Sequence, residues 1–228
     1  FAIDRDEVTV GRYREGSRGF SPAEPPTANE GELGATPDAA CTFSEAPRGR
    51  ESYALTCLPW ATARAWCQRQ GGDLPTEAQW EYAATSAGRR GKVAFPWGDE
   101  APRCGQAVYG RLTLAGFPGA CEAKVGAGPL PVFTADAPTA PEDVSAAGVR
   151  GLAGGVSEWV RDVAAPYRAP CWDRPSVDPV CDGPVQNAHI VRGGGWAGPP
   201  INARSTARLG STRATALVGF RCVYPVPR

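Results

Sequence analysis

Hydrophobic positions alternate loosely at the start of the chain, through Phe1, Ile3, Val8 and Val10, which predicts a strand running into a short helix or turn near Tyr13. From Ser21 to Glu45 the pattern is lost: Pro22, Pro25, Pro26 and Pro37 stand among small polar residues, as in an irregular surface loop. Helical spacing appears after Pro59 in Ala61, Ala65 and Trp66, and Gly71-Gly72 ends that run. A second helix follows directly. Thr76 is a good N-cap, Gln79 stands three residues on as in a capping box, and Trp80, Ala83 and Ala84 share one face. Trp80 and Tyr82 are expected to bury large areas, worth about 2 kcal/mol each.

Beyond this point the pattern weakens. The stretch from Gly88 to Pro141 is mostly Gly, Pro and Ala with islands such as Phe95-Pro96-Trp97-Gly98, and it predicts no assignable element. Gly148, Gly151, Gly154 and Gly155 make a turn-rich approach to a strand at Glu158-Trp159-Val160, and Ala164 to Asn187 reads as another loop. Residues 190–196 and 218–223 look like two strands around a polar connection. Three successive glycines, Gly193 to Gly195, imply close backbone approach or positive φ. Neither an internal repeat nor a long linker interrupts the chain, so one unit over residues 1–228 is expected.

Composition narrows the functional classes. Lys+Arg and Asp+Glu are equal at 24 each, which removes the electrostatic case for nucleic acid and leaves a partner read by shape. No apolar run approaches the ~20 residues needed to span a bilayer. With 28 Gly and 23 Pro, a loop-rich fold is expected. The eight cysteines contain no Cys-x-x-Cys pair, so disulfides in an oxidising, extracytoplasmic compartment are expected rather than a zinc or thioredoxin-type site. The chain starts at Phe1 with neither Met nor an apolar leader, so any signal peptide that preceded it has been removed.

Five segments in order carry a family resemblance: residues 1–9; Trp60 through Cys67 followed by Asp73-Leu74-Pro75-Thr76-Glu77-Ala78-Gln79-Trp80-Glu81-Tyr82-Ala83-Ala84; Phe95-Pro96-Trp97-Gly98; Gly154-Gly155-Val156-Ser157-Glu158-Trp159-Val160; and Arg192-Gly193-Gly194-Gly195-Trp196 with Gly219-Phe220-Arg221-Cys222. Together they resemble the formylglycine-generating enzyme (sulfatase-modifying factor) family. The resemblance implies an α+β fold, the family's loop-rich, disulfide-stapled variant of the C-type lectin fold. Relatives usually carry one more strand ahead of the first segment, so that strand is expected to be missing from this N-terminus. The resemblance also implies a Cys67–Cys222 disulfide. Proximity then suggests Cys41–Cys57, Cys104–Cys121 and Cys171–Cys181, among the 105 connectivities eight cysteines allow.

What the resemblance implies for chemistry is a loss. Copper-dependent relatives place two Cu(I)-binding cysteines two and seven residues after the Trp that corresponds to Trp196; here those positions are Gly198 and Ala203, and the preceding Ser of the motif is Gly195. Iron-dependent relatives, the sulfoxide synthases of ergothioneine-type pathways, use several histidines, whereas this chain has only His189, expected as a surface or partly buried imidazole. The family's calcium loop corresponds to residues 145–159. Its Asp and second Asn are replaced by glycine, which leaves Glu158 as a weak calcium candidate beside Arg150, or else as an acceptor for loop backbone N–H groups. No Ser/His/Asp set and no phosphate loop can be assembled, and Glu77 and Glu81, four apart on a helix, read as a solvated face.

The resulting expectation is a non-catalytic extracytoplasmic recognition or structural module. It would have no required cofactor, would bind a protein or glycan partner, and would act as a subunit of a larger assembly. The candidate surface lies between Trp196 and Arg213 and offers Asn202, Arg204, Arg208 and Arg213. The alternative is a family enzyme of altered mechanism that oxidises or matures a peptide or small molecule, as relatives acting on peptide-derived pigments do. A sequence-diversified binding protein of this fold fits less well, because residues 197–217 are dominated by Ala, Arg, Ser and Thr.

Overall fold

A computed structural model describes residues 1–31, 41–112, 119–121, 140–173, 177–182 and 188–226. Pro37, most of the unassigned stretch after Leu112, and Asn187 lie outside the described residues.

Local chemistry sets the three helices. Thr9 caps α1 (Val10–Gly16) by accepting the Arg12 N–H, and Val10 and Tyr13 turn inward. Helix α2 (Trp60–Arg69) starts after Pro59 and ends where Gly71 takes φ +84°. Its buried stripe is Thr62, Ala63, Trp66 and Cys67, whereas Ala61 faces solvent. Helix α3 (Glu77–Thr85) carries both halves of the capping box, the Gln79 N–H donating to Thr76 Oγ1 at 3.1 Å and the Thr76 N–H to Gln79 Oε1 at 2.9 Å. It buries Trp80, Ala83 and Ala84. Tyr82 is not buried: two residues from Trp80 it sits on the opposite side of the helix and is 52% exposed.

The main sheet has the order β4-β3-β2-β5, from β2 (Ser157–Val163), β3 (His189–Arg192), β4 (Arg208–Ser211) and β5 (Val218–Gly219). Its pairs are antiparallel except β2 with β5, which run parallel. A small antiparallel pair joins β1 (Ala2–Ile3) to β6 (Val223–Tyr224), bringing the two ends of the chain together. The C-terminal region therefore holds four short strands rather than two, and β4 lies inside the stretch read as a polar connection. Residues 41–44, read as surface loop, are buried, and Phe43 joins the core with Tyr13, Leu55, Trp66 and Phe220. The result is the α+β, C-type-lectin-like architecture of the family, poor in regular elements and rich in loops.

Disulfides join Cys67 to Cys222, Cys41 to Cys57, Cys104 to Cys121 and Cys171 to Cys181. The Cys67–Cys222 bridge spans 155 residues and ties α2 to the C-terminal strand region inside the core. Both glycine requirements are met before Trp196: Gly193 has φ +80°, and a side chain at Gly194 would run into the Ala153 carbonyl.

Candidate functional site

Trp196 is fully buried and its indole N–H donates to the Ala216 carbonyl at 3.2 Å, which fixes the start of the segment that follows β3. Beyond it the chain makes a short 3-10 turn at Pro200–Ala203 and then forms the edge strand β4. Gly198 lines a cleft of about 210 Å³ together with Ser157, Gly195, Asn202, Leu209 and Thr215. Ala203 is fully buried, packed in a cluster with Phe95, Ala107, Tyr109 and Ala153. None of the residues lining the cleft is ionisable, and all eight cysteines are paired, so no thiolate is left to hold Cu(I). The residues present do not fit a copper centre. A Cβ on Gly198 would meet the Gly195 carbonyl oxygen at 3.3 Å, a contact tight enough that the backbone would have to give.

The four candidate surface residues are not equivalent. Asn202 is half-buried and lines the cleft; Arg204 is exposed with its guanidinium 5.8 Å from the Phe95 ring; Arg213 is exposed. Arg208 is not a free surface cation. It reaches α3, donating from Nε to Glu77 Oε1 at 2.7 Å and from Nη2 to Glu77 Oε2 at 2.8 Å.

Glu158 sits at the opposite extreme of burial, with no exposure. Arg221, equally buried, donates to both of its oxygens at 2.6 and 2.7 Å, and the Trp80 indole N–H donates to Oε2 at 2.8 Å. A guanidinium thus takes the place a cation would need, so Glu158 is not open as a calcium ligand; among the described residues no cluster of His, Cys, Asp or Glu is arranged to hold a metal. Its partners are side chains rather than the loop backbone, and the backbone acceptor is instead Asp143, which takes the Ala153 N–H. Arg150, the cation expected beside Glu158, contributes only its carbonyl to Arg221, while its own guanidinium lies 3.9 Å from Asp6. Burial pushes the Asp143 carboxyl up to about 7, against the opposing pull of its backbone hydrogen bonds and Arg221. Glu7, 3.9 Å from Arg221, is also raised by burial, which outweighs that arginine.

Glu77 and Glu81, read as a solvated pair, are the anions of a second cluster. The fully buried Arg192 of β3 donates to Glu77 Oε1 at 2.9 Å and to Glu81 Oε2 at 2.6 Å; Arg208 completes Glu77, and the Tyr167 hydroxyl donates to it at 3.0 Å. Helical spacing alone hides this, because both arginines come from strands more than a hundred residues further along. His189 opens β3 with its ring stacked 3.5 Å from Trp60, and burial lowers its pKa.

A disulfide-braced α+β scaffold of C-type-lectin type, with no free thiol, defines the class. The chain belongs to the sulfatase-modifying factor enzyme 1-like domain family, whose sequence profile matches residues 1–226. It is 32% identical over 182 residues to the formylglycine-generating enzyme of Streptomyces coelicolor, covering 76% of this chain and 53% of that protein. It is 30% identical over 182 residues to the inactive C-alpha-formylglycine-generating enzyme 2 of Bos taurus, covering 77% and 51%. The chain therefore spans about half the length of these relatives. PvdO from Pseudomonas aeruginosa shares the fold, with a TM-score of 0.65 at 21% identity over 96% of this chain and 78% of PvdO.

Proposed function

We propose that the protein is a non-catalytic recognition module that works outside the cytoplasm and holds a protein partner at the cleft beside β4. One observation carries this reading: the cleft at Gly198 is lined only by apolar, hydroxyl and amide groups, which suit an uncharged side chain and offer no acid, base, nucleophilic thiol or metal ligand. The surrounding features support it. β4 is an edge strand whose backbone can extend the sheet with a partner's strand, and Leu209 lines the cleft at 48% exposure. Eight paired cysteines suit an oxidising compartment. Similarity to an inactive C-alpha-formylglycine-generating enzyme 2 supports the non-catalytic reading.

Copper analysis of the purified protein, combined with oxygen uptake in the presence of cysteine-containing peptides, tests the non-catalytic half. Absence of both is expected, and stoichiometric copper or sustained uptake defeats it. A photo-crosslinking residue placed at Leu209 in the producing cells tests the other half. An adduct with one defined protein is expected at 209 and not at the exposed Arg90; equal labelling at both sites, or none at either, rejects the docking surface.

A further inference from the structure

A second cleft, on another part of the molecule, has different chemistry. Helix α3 forms one wall with Glu81, Tyr82 and Ser86; Tyr167 and Trp172 form the other, with Lys92 at the rim, and the enclosed space is about 510 Å³. That volume lies within the range of small-molecule sites. Its aromatic lining is about half open. Tyr82 is 52% and Tyr167 59% exposed, with Phe1 edge-on to Tyr82 at 6.3 Å and Trp172 tilted against Tyr167 at 6.1 Å. Trp172 follows Cys171 of the Cys171–Cys181 disulfide, so its backbone is braced.

We propose that this cleft binds a saccharide. A sugar ring presents an apolar C–H face and a rim of hydroxyls, and the cleft presents the complement of both: the Tyr82 and Trp172 rings beside the Ser86 and Thr206 hydroxyls and the Lys92 ammonium. The charge arrangement argues against the other ligand that aromatic walls attract, an organic cation. Both carboxylates in the cleft are already matched, Glu77 by Arg192 and Arg208, and Glu81 by Arg192 and Lys92. The Arg208 guanidinium already covers the Tyr167 ring at 4.3 Å. A neutral polyhydroxylated ligand needs no unpaired anion. This site is separate from the Gly198 cleft, with which it shares no lining residue, so either assignment can fail alone.

The test titrates cellotriose, chitotriose and maltotriose into the whole protein while following the Trp172 indole signal by NMR, with tetramethylammonium as the cationic probe. At least one saccharide is expected to move that signal with a Kd of about 1 mM or tighter. Tyr82→Ala and Trp172→Ala are each expected to weaken it by about three- to tenfold, the size of one aromatic contact. Tyr82 sits on the exposed face of α3, so Tyr82→Ala keeps the test valid should Trp172→Ala fail to fold. Leu209→Ser, in the other cleft, should leave the affinity unchanged. A signal moved by tetramethylammonium and by no saccharide, no response to any of the four probes, or a saccharide Kd indifferent to Tyr82→Ala overturns the assignment.

Discussion

Two arginine-centred clusters brace this scaffold, and they differ in what lies beside them. Around Arg221, Glu158 is closed off on every side: its oxygens go to one guanidinium and one indole, and neither member of the pair touches water. Around Arg192, the chemistry starts equally buried but runs outward through Glu77 and Glu81 to Arg208, Tyr167 and Lys92, which border open space. The first arrangement can only hold the fold. The second holds the fold on its inner side and presents aromatic and polar groups on its outer side. The contrast separates a cluster closed at its centre from one that opens at its border.

The sharpest way to break the comparison is Arg221→Met. Removing one member of a fully buried pair leaves Glu158 uncompensated beside Glu7 and Asp143, and a loss of about 3–5 kcal/mol is expected by urea denaturation. A loss below about 1 kcal/mol would show that the centre is not sealed. The same cluster fixes a sign of pH dependence. Asp143 moves from an ordinary 3.8 up to about 7 in the folded protein, so the folded state holds a proton that the unfolded state releases. Its contribution is complete below the unfolded value and disappears as pH rises through about 7; Glu7 acts in the same direction. Asp143→Asn should flatten the fall in thermal midpoint between about pH 4 and about pH 7. An unchanged slope would remove Asp143 as its source.

Glu77→Gln is expected to cost less, about 2 kcal/mol, because Arg192 keeps Glu81 and Arg208 sits close enough to solvent to rehydrate. The variant should also free the Tyr167 ring, seen as a narrowed Tyr167 NMR signal, since Glu77 anchors both its hydroxyl and the arginine above it. A loss as large as that of Arg221→Met would make the two clusters equivalent and end the distinction.

How much of this was legible in the sequence depends on how far apart the partners lie. The Thr76–Gln79 capping box and the Trp80, Ala83, Ala84 face are local, and both were readable. Tyr82 was misassigned although the signal was present, because i and i+2 on a helix do not share a face. Strand β4 was invisible: Arg-Leu-Gly-Ser has no alternation, and it is a strand because its backbone pairs with β3 from His189↔Ser211 to Arg192↔Arg208. Glu77 and Glu81 looked solvated because their partner Arg192 lies 115 and 111 residues away, and no local rule reports such a pair. The same distance concealed Arg221 behind Glu158, 63 residues apart. Gly198 and Ala203 take on meaning only through the family motif, whereas the uncharged lining of the Gly198 cleft required the fold.

The smallest expected effect tests the outer edge of the open cluster. Lys92 donates to Glu81 Oε1 at 2.7 Å, but its side chain is 69% exposed, so Lys92→Ala should cost less than about 1 kcal/mol, and added salt should erase the difference. Its clearer signature is the titration of Glu81. Burial pushes that carboxyl up, yet hydrogen bonds from Lys92 and Arg192 and the Arg192 charge outweigh burial and leave it below its ordinary value. A lowered carboxylate stabilises the fold above its unfolded pKa and loses that contribution as pH falls through the folded one, opposite in sign to Asp143. Removing Lys92 should therefore raise the Glu81 pKa in a side-chain NMR titration and reduce the acid-side loss of stability, with Asp143 unmoved. If Lys92→Ala shifts Asp143 as well, or proves as costly as Glu77→Gln, the rim of the cleft is coupled to the sealed centre and the two clusters act as one.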